Sequence, residues 1–501
     1  WFVHRWTASA LERQEESAVE AAEEDKAERH RRAAAYWMWH YRATDQSREA
    51  DVEDLLECYA HFGEAEDVEQ SDDAAQGAAS ILDLIGRWDD ERALANSQLQ
   101  NTRLNKDRQA AWHHQLGVLA RRRGDYDTAR TRYQQALAIF EELGNRAGTA
   151  KTYHQLGILA HDQSHYDTAR TRYQQALAIF EELGDRAGMA ATYGQLGILA
   201  HDQSDYDTAR NLYEQSLHIK EELGNRAGMA TTYHQLGMLA HDQSDYDTAR
   251  NLYEQSLHIE EELGNRAGMA TTYHQLGMLA HDQSDYDTAR NLYEQSLHIE
   301  EELGNRASMA TTYGQLGALA QARGDYDTAR TRYQQALTIF EELGNRAGTA
   351  TTYHQLGMLA HDQSDYDTAR TRYQQALTIF EELGNRASMA TTYHQLGMLA
   401  HDQSDYDTAR NLYEQSLHIK EELGNRAGMA TTYHQLGMLA HDQSDYDTAR
   451  NLYEQSLHIK EELGNRAGMA ATYHQLGMLA HDQSDYDTAR TRYQQALTIF
   501  E

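Results

Sequence analysis

Regularly spaced histidines are the residues of this sequence with the widest chemical range. The chain has 27 of them, and in one representative stretch His234 and His241 lie seven residues apart with Met238 between them. Imidazole donates and accepts hydrogen bonds, titrates near a pH of about 6.5 and binds metals. Seven helical residues span about 10 Å, whereas two ligands of one zinc ion must each lie about 2 Å from it. We therefore predict hydrogen bonding to a ligand and no metal site.

Motifs for catalysis or cofactor binding are absent from the sequence. It contains no G-x-S-x-G, no H-E-x-x-H and no G-x-x-x-x-G-K-[ST] pattern. The acidic run Asp242, Asp245 and Asp247 lacks the central glycine of a calcium loop, and helix capping explains it better. We expect a protein that is not an enzyme and that carries neither a cofactor nor a metal.

Composition restricts the partners and the compartment. The formal net charge of −34 argues against nucleic acid, because phosphate binding needs clustered Lys and Arg. No run approaches the ~18 apolar residues of a membrane span, so we expect no membrane partner. A lone Cys58 excludes a disulfide framework and suits a reducing compartment, which predicts a cytoplasmic location.

An internal repeat of 40 residues positions the histidines. The first copy begins at Asn105, the tenth begins at Asn465 and is cut short at Glu501, and no insertion or deletion intervenes. A fixed period of this size is the signature of a solenoid, in which each unit buries its apolar face against its neighbours. The chain also lacks proline, which favours nearly continuous helix. We predict residues 1–104 to be an irregular helical region and 105–501 to be ten repeats, the last truncated.

Each repeat reads as a helical hairpin. The first helix is predicted over Arg226–His241 after the N-cap Asn225, with Met229, Ala230, Tyr233, Leu236, Gly237 and Ala240 in one buried arc. The second helix follows the N-cap Asp245 and stops at Gly264. It occurs in two versions, T-R-Y-Q-Q-A-L and N-L-Y-E-Q-S-L, five times each.

The spacing of Tyr233, Leu236, Gly237, Tyr246, Ala249, Tyr253 and Ser256 resembles the tetratricopeptide repeat. The unit is six residues longer than the common 34, and it is most similar to the 40-residue LGN/Pins type. The resemblance implies an all-α, right-handed solenoid whose concave wall is made by the first helices and binds a peptide or protein segment.

Helical geometry selects the residues of that wall. Around the first helix, Thr231, His234, Met238, His241 and Asp242 lie within 100° of each other, away from the buried arc. The predicted groove residues are a first histidine row (His154, His234, His274, His354, His394, His434, His474), a second histidine row (His161, His201, His241, His281, His361, His401, His441, His481), and Met238, Met278, Met358, Met398 and Asp242. Solvated side chains copied by recent duplication are the alternative.

The sixth repeat departs from the others and predicts a local pocket. Its substitutions are Gly314, Ala318, Gln321 and Arg323, and the smaller side chains would open space for a ligand. The alternative is an older repeat that escaped homogenisation.

The first residues suggest a wider context. The opening W-F-V-H-R-W-T-A-S-A-L resembles the end of a winged-helix segment in bacterial signal-transduction ATPases with numerous domains. That resemblance implies a nucleotide-binding domain upstream of Trp1, with the repeats as its ligand sensor. A constitutive LGN/Pins-type scaffold and a small-molecule sensor remain alternatives. Self-association through the uncapped C-terminal end is also possible, because the last helix has no following repeat.

Overall fold

A computed structural model describes residues 23–43 and 48–500, and this part of the chain is all-α, with 24 helices and no strand. The opening winged-helix-like residues 1–11 lie outside the described residues. Four helices precede the repeats: α1 (Glu23–Ala43), α2 (Arg48–Glu64), α3 (Val68–Leu84) and α4 (Trp88–Gln100).

Each repeat contributes two helices, which we call its A and B helices. The A helices are α5 (Lys106–Arg122), α7 (Arg146–Asp162), α9 (Arg186–Asp202), α11 (Arg226–Asp242), α13 (Arg266–Asp282), α15 (Arg306–Ala322), α17 (Arg346–Asp362), α19 (Arg386–Asp402), α21 (Arg426–Asp442) and α23 (Arg466–Asp482). The B helices are α6 (Tyr126–Leu143), α8 (Tyr166–Leu183), α10 (Tyr206–Glu222), α12 (Tyr246–Leu263), α14 (Tyr286–Leu303), α16 (Tyr326–Glu342), α18 (Tyr366–Glu382), α20 (Tyr406–Glu422), α22 (Tyr446–Glu462) and α24 (Tyr486–Phe500). The A helix predicted to end at His241 extends one residue further.

The chain divides into two compact units, residues 1–245 and 246–501. Within each unit, the A and B helices of one repeat pack together, each A helix also packs against the B helix before it, and successive A helices touch. The two units are described separately below.

Side-chain caps set where the helices begin, as the sequence predicted. The Asn145 Oδ1 accepts the Gly148 N–H at 2.9 Å, and the Asp205 Oδ1 accepts that of Thr208 at 3.3 Å. Gly144 ends its B helix with a φ of 68°, a left-handed conformation that costs glycine little. The second repeat has His165 at its B-helix cap, and this side chain makes no capping hydrogen bond.

Within each of the two units, the core of a hairpin is a tyrosine ring lying on a glycine. Tyr173 is fully buried, and a Cβ added to Gly157 would lie 2.5 Å from its ring. The predicted arc is buried at Ala230, Leu236, Gly237 and Ala240. Thr232 and Leu239 are also buried, although they fall outside that arc. The arc was too narrow because an A helix has neighbours on more than one side.

The four leading helices have a core of their own and an anchor to the repeats. Trp37 is buried beside Cys58, whereas Trp39 is 60% exposed. The fully buried Asp72 of α3 accepts the indole N–H of Trp112 at 2.6 Å and a guanidinium N–H of Arg108 at 2.5 Å. These bonds fix α3 against the first repeat.

The tyrosine–glycine contact predicts the effect of a single methyl group. An alanine Cβ at position 317 would lie 2.7 Å from the Tyr333 ring, and we expect Gly317→Ala to lower the free energy of unfolding by about 1–3 kcal/mol. Gly314→Ala in the same helix is the matched control. Its Cβ would meet only the Gln355 Oε1, at 3.8 Å, and better helix propensity should give no loss and up to ~1 kcal/mol of gain. Denaturant unfolding measures both, and equal losses would contradict the assignment.

Candidate functional site

The A-helix face of each unit is the surface on which the predicted groove residues lie. We define it by the exposed positions equivalent to Thr231, Met238 and Asp242, together with the two histidine rows. Met238, Met358 and Met478 are 37–38% exposed, whereas Met278, Met398 and Met438 are half-buried. The face therefore presents thioethers and carboxylates to solvent, and its imidazoles are less accessible than expected.

The first histidine row lies between successive A helices. The His154 Nδ1 is 3.0 Å from the Thr192 Oγ1 of the next repeat, and His394 bonds Thr432 in the same way and is only 7% exposed. Equivalent bonds join His114, His274, His354 and His434 to Thr152, Thr312, Thr392 and Thr472. The Thr192 hydroxyl donates its proton to the Gly188 carbonyl, which assigns the imidazole proton to Nδ1.

Burial keeps this row uncharged. It lowers the pKa of His154, His234, His354, His394 and His434 to about 4. These imidazoles are neutral at pH 7, and those of His154, His354, His394 and His434 already hold one hydrogen bond inside the protein. The prediction that they bind a ligand was made for exposed side chains, and burial leaves each of them little surface to offer. His474 is the exposed member of the row.

A third side chain, near the end of the B helix, contacts the next A helix at the buried junction, and its type differs between the two versions of the B helix. In the T-R-Y version this side chain is phenylalanine, and Phe180 lies on Gly188. In the N-L-Y version it is Lys or Glu: the Lys420 Nζ donates to the Thr432 Oγ1 at 2.8 Å, and the Glu300 Oε1 accepts from the Thr312 Oγ1 at 3.2 Å. Burial lowers the pKa of Lys420 and of Lys460 to about 8 and raises that of Glu260 and of Glu300. The repeats therefore join through either an apolar or a polar contact.

The second histidine row forms charge-assisted contacts at the edge of the A-helix face. The His361 Nε2 lies 2.7 Å from the Asp402 Oδ2 of the next repeat; this histidine is 13% exposed and its partner aspartate 52%. The same contact joins His161, His201, His401 and His441 to Asp202, Asp242, Asp442 and Asp482. Arg121 and Gln321 replace the histidine and still bond Asp162 and Asp362. The row holds the repeats together while its carboxylates stay open to solvent.

The contact between the fifth and sixth repeats lacks this bond. His281 precedes position 322 by the usual 41 residues, and alanine stands there in place of the aspartate found in eight of the ten repeats. Within the described residues His281 makes an aromatic contact with Tyr286, 5.7 Å between ring centroids, and no hydrogen bond. A second polar row is also broken here, because Arg250 and Arg330 donate to Gln283 and Gln363 but Arg290 is followed by an arginine at position 323.

The four residues of the predicted pocket do not meet in one place. Gly314 borders open space, and Ala318 is half-buried. The Gln321 Nε2 bonds the Asp362 Oδ2 of the seventh repeat at 2.6 Å, whereas Arg323 bonds the Asp287 Oδ1 of the fifth at 2.6 Å. A ligand pocket shared by these four side chains is therefore not formed, although Arg323 lines a different cavity that is described below.

The described residues contain no cluster of three or more His, Cys, Asp or Glu side chains arranged to hold a metal ion. Among the helices in residues 23–43 and 48–500, none combines the length and the apolar composition that crossing a bilayer requires.

Comparison with protein families matches a tetratricopeptide repeat model to residues 107–182, 166–222, 188–262, 228–302, 308–382, 348–422, 388–462 and 428–501. The chain belongs to the tetratricopeptide repeat family. The family was expected from the repeat spacing, and the all-α solenoid of helix pairs agrees with it.

Solved structures with tetratricopeptide-like helices show low sequence identity to this chain. BtubC from P. vanneervenii is 24% identical, with 48% of this chain and 93% of that chain covered and a TM-score of 0.37. The apo quorum sensor NprR from B. thuringiensis is 12% identical, with 72% and 100% covered and a TM-score of 0.49. A signal-transduction ATPase with a tetratricopeptide repeat sensor from Pyrococcus horikoshii is 13% identical, with 67% and 53% covered and a TM-score of 0.48. Comparison with curated proteins gives no match.

Sequence reasoning missed the buried threonines and the lysines bonded to them. Thr232 and Lys420 are residue types that are usually exposed, and their partners lie in another repeat. One signal was available: the Phe, Lys or Glu position covaries with Ala or Ser four residues earlier, and the Ser416 Oγ bonds the Ala390 carbonyl at 2.7 Å.

The polar junction predicts a pH-dependent stability. We expect Lys420→Phe, which recreates the Phe180–Gly188 type of contact, to raise the free energy of unfolding at pH 7 by about 1–3 kcal/mol by removing a buried ammonium. Because the pKa of Lys420 falls from 10.5 to about 8 on folding, the unfolded chain binds more protons between these values and the wild type gains stability as pH rises through them. The variant should lose part of that gain. Denaturant unfolding at pH 7 and pH 9.5 measures both effects, and an unchanged pH dependence would rule out this assignment.

The missing carboxylate at position 322 predicts a restored contact. We expect Ala322→Asp to couple with His281 by about 0.5–1 kcal/mol, since an exposed aspartate would pair with a shielded imidazole. A double-mutant cycle with His281→Leu, which removes the hydrogen-bonding groups of the imidazole, measures the coupling, and the native His361–Asp402 pair is the reference cycle. A coupling near zero at position 322 and a normal one in the reference would show that the two faces do not meet there.

Proposed function

We propose that the chain is a non-enzymatic recognition module that binds a protein segment along its A-helix face. The observation that carries the proposal is the combination of exposed thioethers with regularly spaced, half-exposed carboxylates on that face. Met358 and Asp402 in the second unit are 37% and 52% exposed, and the pattern recurs from repeat to repeat. Methionine adapts its shape to irregular apolar partners, and carboxylates fix the polar groups of a ligand.

The carboxylates retain an acceptor for the ligand. The Asp402 Oδ2 accepts a hydrogen bond from His361, whereas the Asp402 Oδ1 makes no hydrogen bond within the described residues. Asp442 is engaged in the same way by His401. A bound segment would therefore contact a row of carboxylates, each with one oxygen still available. That oxygen can accept hydrogen bonds from backbone N–H groups or from cationic side chains. The histidine holds each carboxylate in place, which reduces the entropy lost on binding.

The charge of the chain indicates the chemistry of the ligand. With a formal net charge of −34, a basic segment is attracted and an acidic one is repelled. Apolar side chains of the ligand would contact the thioethers. The module therefore suits a segment in which basic and apolar residues are mixed.

A finer assignment concerns the context of the module. We propose that it is the sensor of a bacterial ATPase switch that acts in defence or conflict signalling, on the resemblance of the opening residues to the end of a winged-helix segment. Its test is the sequence encoded upstream of Trp1. A G-x-x-x-x-G-K-[ST] motif there would support the assignment, and a different interaction domain would favour a constitutive scaffold.

Peptide selection measures the proposed function. We expect the full chain to enrich basic-apolar peptides from a random 12-residue display library, with binding that weakens as salt rises. Replacing Met358, Met398, Met438 and Met478 together by Gln should weaken the selected peptides by about tenfold, because apolar contact area on the A-helix face is lost.

The matched control changes a second exposed apolar row. Leu343, Leu383, Leu423 and Leu463, at the ends of the B helices, are 45–49% exposed, and their replacement by Gln should leave peptide binding unchanged. Circular dichroism melts confirm that both variants fold. Loss of binding in the leucine variant alone would move the binding surface to the B-helix ends, and enrichment of acidic peptides would refute the ligand chemistry.

A further inference from the structure

The contact between the fifth and sixth repeats contains a cavity of about 110 Å³ on the B-helix side, away from the A-helix face. Three arginines line it: Arg290 from the fifth repeat, and Arg323 and Arg332 from the sixth. The carboxylates of Glu294 and Asp325 also line it, so the guanidinium groups outnumber the carboxylates. Leu316, Leu319 and Ala320 form its apolar floor.

This cluster of arginines results from a single residue difference. In eight repeats the position of Arg323 is Gln, which accepts from the arginine of the preceding B helix, as in the 2.5 Å bond from Arg450 to Gln483. An arginine cannot accept a hydrogen bond. Arg290 therefore donates to Glu294 at 3.2 Å, and Arg323 donates to Asp287 at 2.6 Å. Of the ten repeats only the first and the sixth carry arginine at this position, and only the sixth follows a repeat with an arginine equivalent to Arg290.

The three guanidinium groups keep N–H donors that the protein does not use. A guanidinium carries five N–H donors, and Arg290 and Arg323 each give one to a carboxylate, while Arg332 gives one to the Gln335 Oε1 at 3.2 Å. The two lining carboxylates are engaged, Glu294 by Arg290 and Asp325 by the N–H of Thr328 at 3.2 Å. The bond from Thr328 lowers the pKa of Asp325, and the charges of Arg290 and Arg323 lower it further. At the equivalent Asp485, the one arginine that lowers the pKa is Arg450.

We propose that this cavity binds a small oxyanion, a carboxylate or a phosphate group, between Arg290, Arg323 and Arg332. Planar guanidinium groups match the paired oxygens of such groups. A volume of about 110 Å³ accommodates one of them with some water. The site is independent of the A-helix face, so it can exist whether or not a protein segment binds there.

The test uses the full chain and two named probes at constant ionic strength. Inorganic phosphate and acetyl-aspartate N-methylamide are titrated separately by equilibrium dialysis, which gives the dissociation constant and the number of sites. We expect one site per chain for at least one probe, and about tenfold weaker binding in Arg323→Gln, which restores the common residue. Arg330→Gln, at the next repeat contact, removes the same charge away from the cavity and should bind as the wild type does.

A gain of function provides the second arm. At the contact between the ninth and tenth repeats, Arg450, Glu454, Leu476, Leu479, Ala480, Asp485, Thr488 and Arg492 match the lining of the cavity, and only Gln483 differs. Gln483→Arg should therefore raise the number of sites from one to two.

The results distinguish a phosphate group from a carboxylate as the bound anion, and they define what would overturn the proposal. Saturation by phosphate alone assigns the site to phosphate groups, and saturation by the capped aspartate assigns it to carboxylate side chains. Absence of binding by both probes overturns the proposal. Equal binding by the wild type and Arg323→Gln, or an unchanged number of sites in Gln483→Arg, overturns it as well. None of these results depends on the peptide selection, so the two proposals fail independently.

Discussion

The contact of a tyrosine ring with a bare glycine backbone holds each hairpin together, and the other interactions depend on it. In the second repeat the ring of Tyr173 occupies the space in which a side chain at position 157 would lie. The A and B helices approach closely for this reason, and the A helix is thereby placed within reach of the next repeat. Only at that distance can His154 bond Thr192 and His161 bond Asp202. The polar rows are thus a consequence of the hairpin core.

The repeats are almost identical in outline but differ in how they join. Apolar contacts such as Phe180 on Gly188 exclude water by shape alone. Polar contacts such as Lys420 on Thr432 bury an ionisable group whose cost depends on pH. Because the two types are interspersed along the chain, stability is a local property of each contact, as expected for a quasi-one-dimensional array. The contact between the fifth and sixth repeats is of the polar type through Glu300 and Thr312, but it lacks the His–Asp bond and gathers arginines instead.

Much of the fold could be predicted from the sequence, because the information is local. Asn145 and Asp205 cap helices through residues three positions away, and the tyrosine positions follow helical periodicity. The functional surface was harder to predict. Helical geometry placed His154 away from the buried arc, but the next A helix, which starts 40 residues later in the sequence, packs against it through Thr192. Of the cavity arginines, Arg323 was a predicted pocket residue, whereas Arg290 and Arg332 were missed, since Arg290 and Arg323 meet only when repeats stack.

The bonds between repeats have a genetic consequence. Each donor and its acceptor are separated by a fixed offset, 38 residues for His354 and Thr392 and 41 for His361 and Asp402. Unequal crossing-over that removes or duplicates a whole unit of the reading frame leaves every donor opposite an acceptor of the same kind. The array can thus lengthen or shorten within one generation without exposing an unmatched polar group, except where a new neighbour is placed before Ala322.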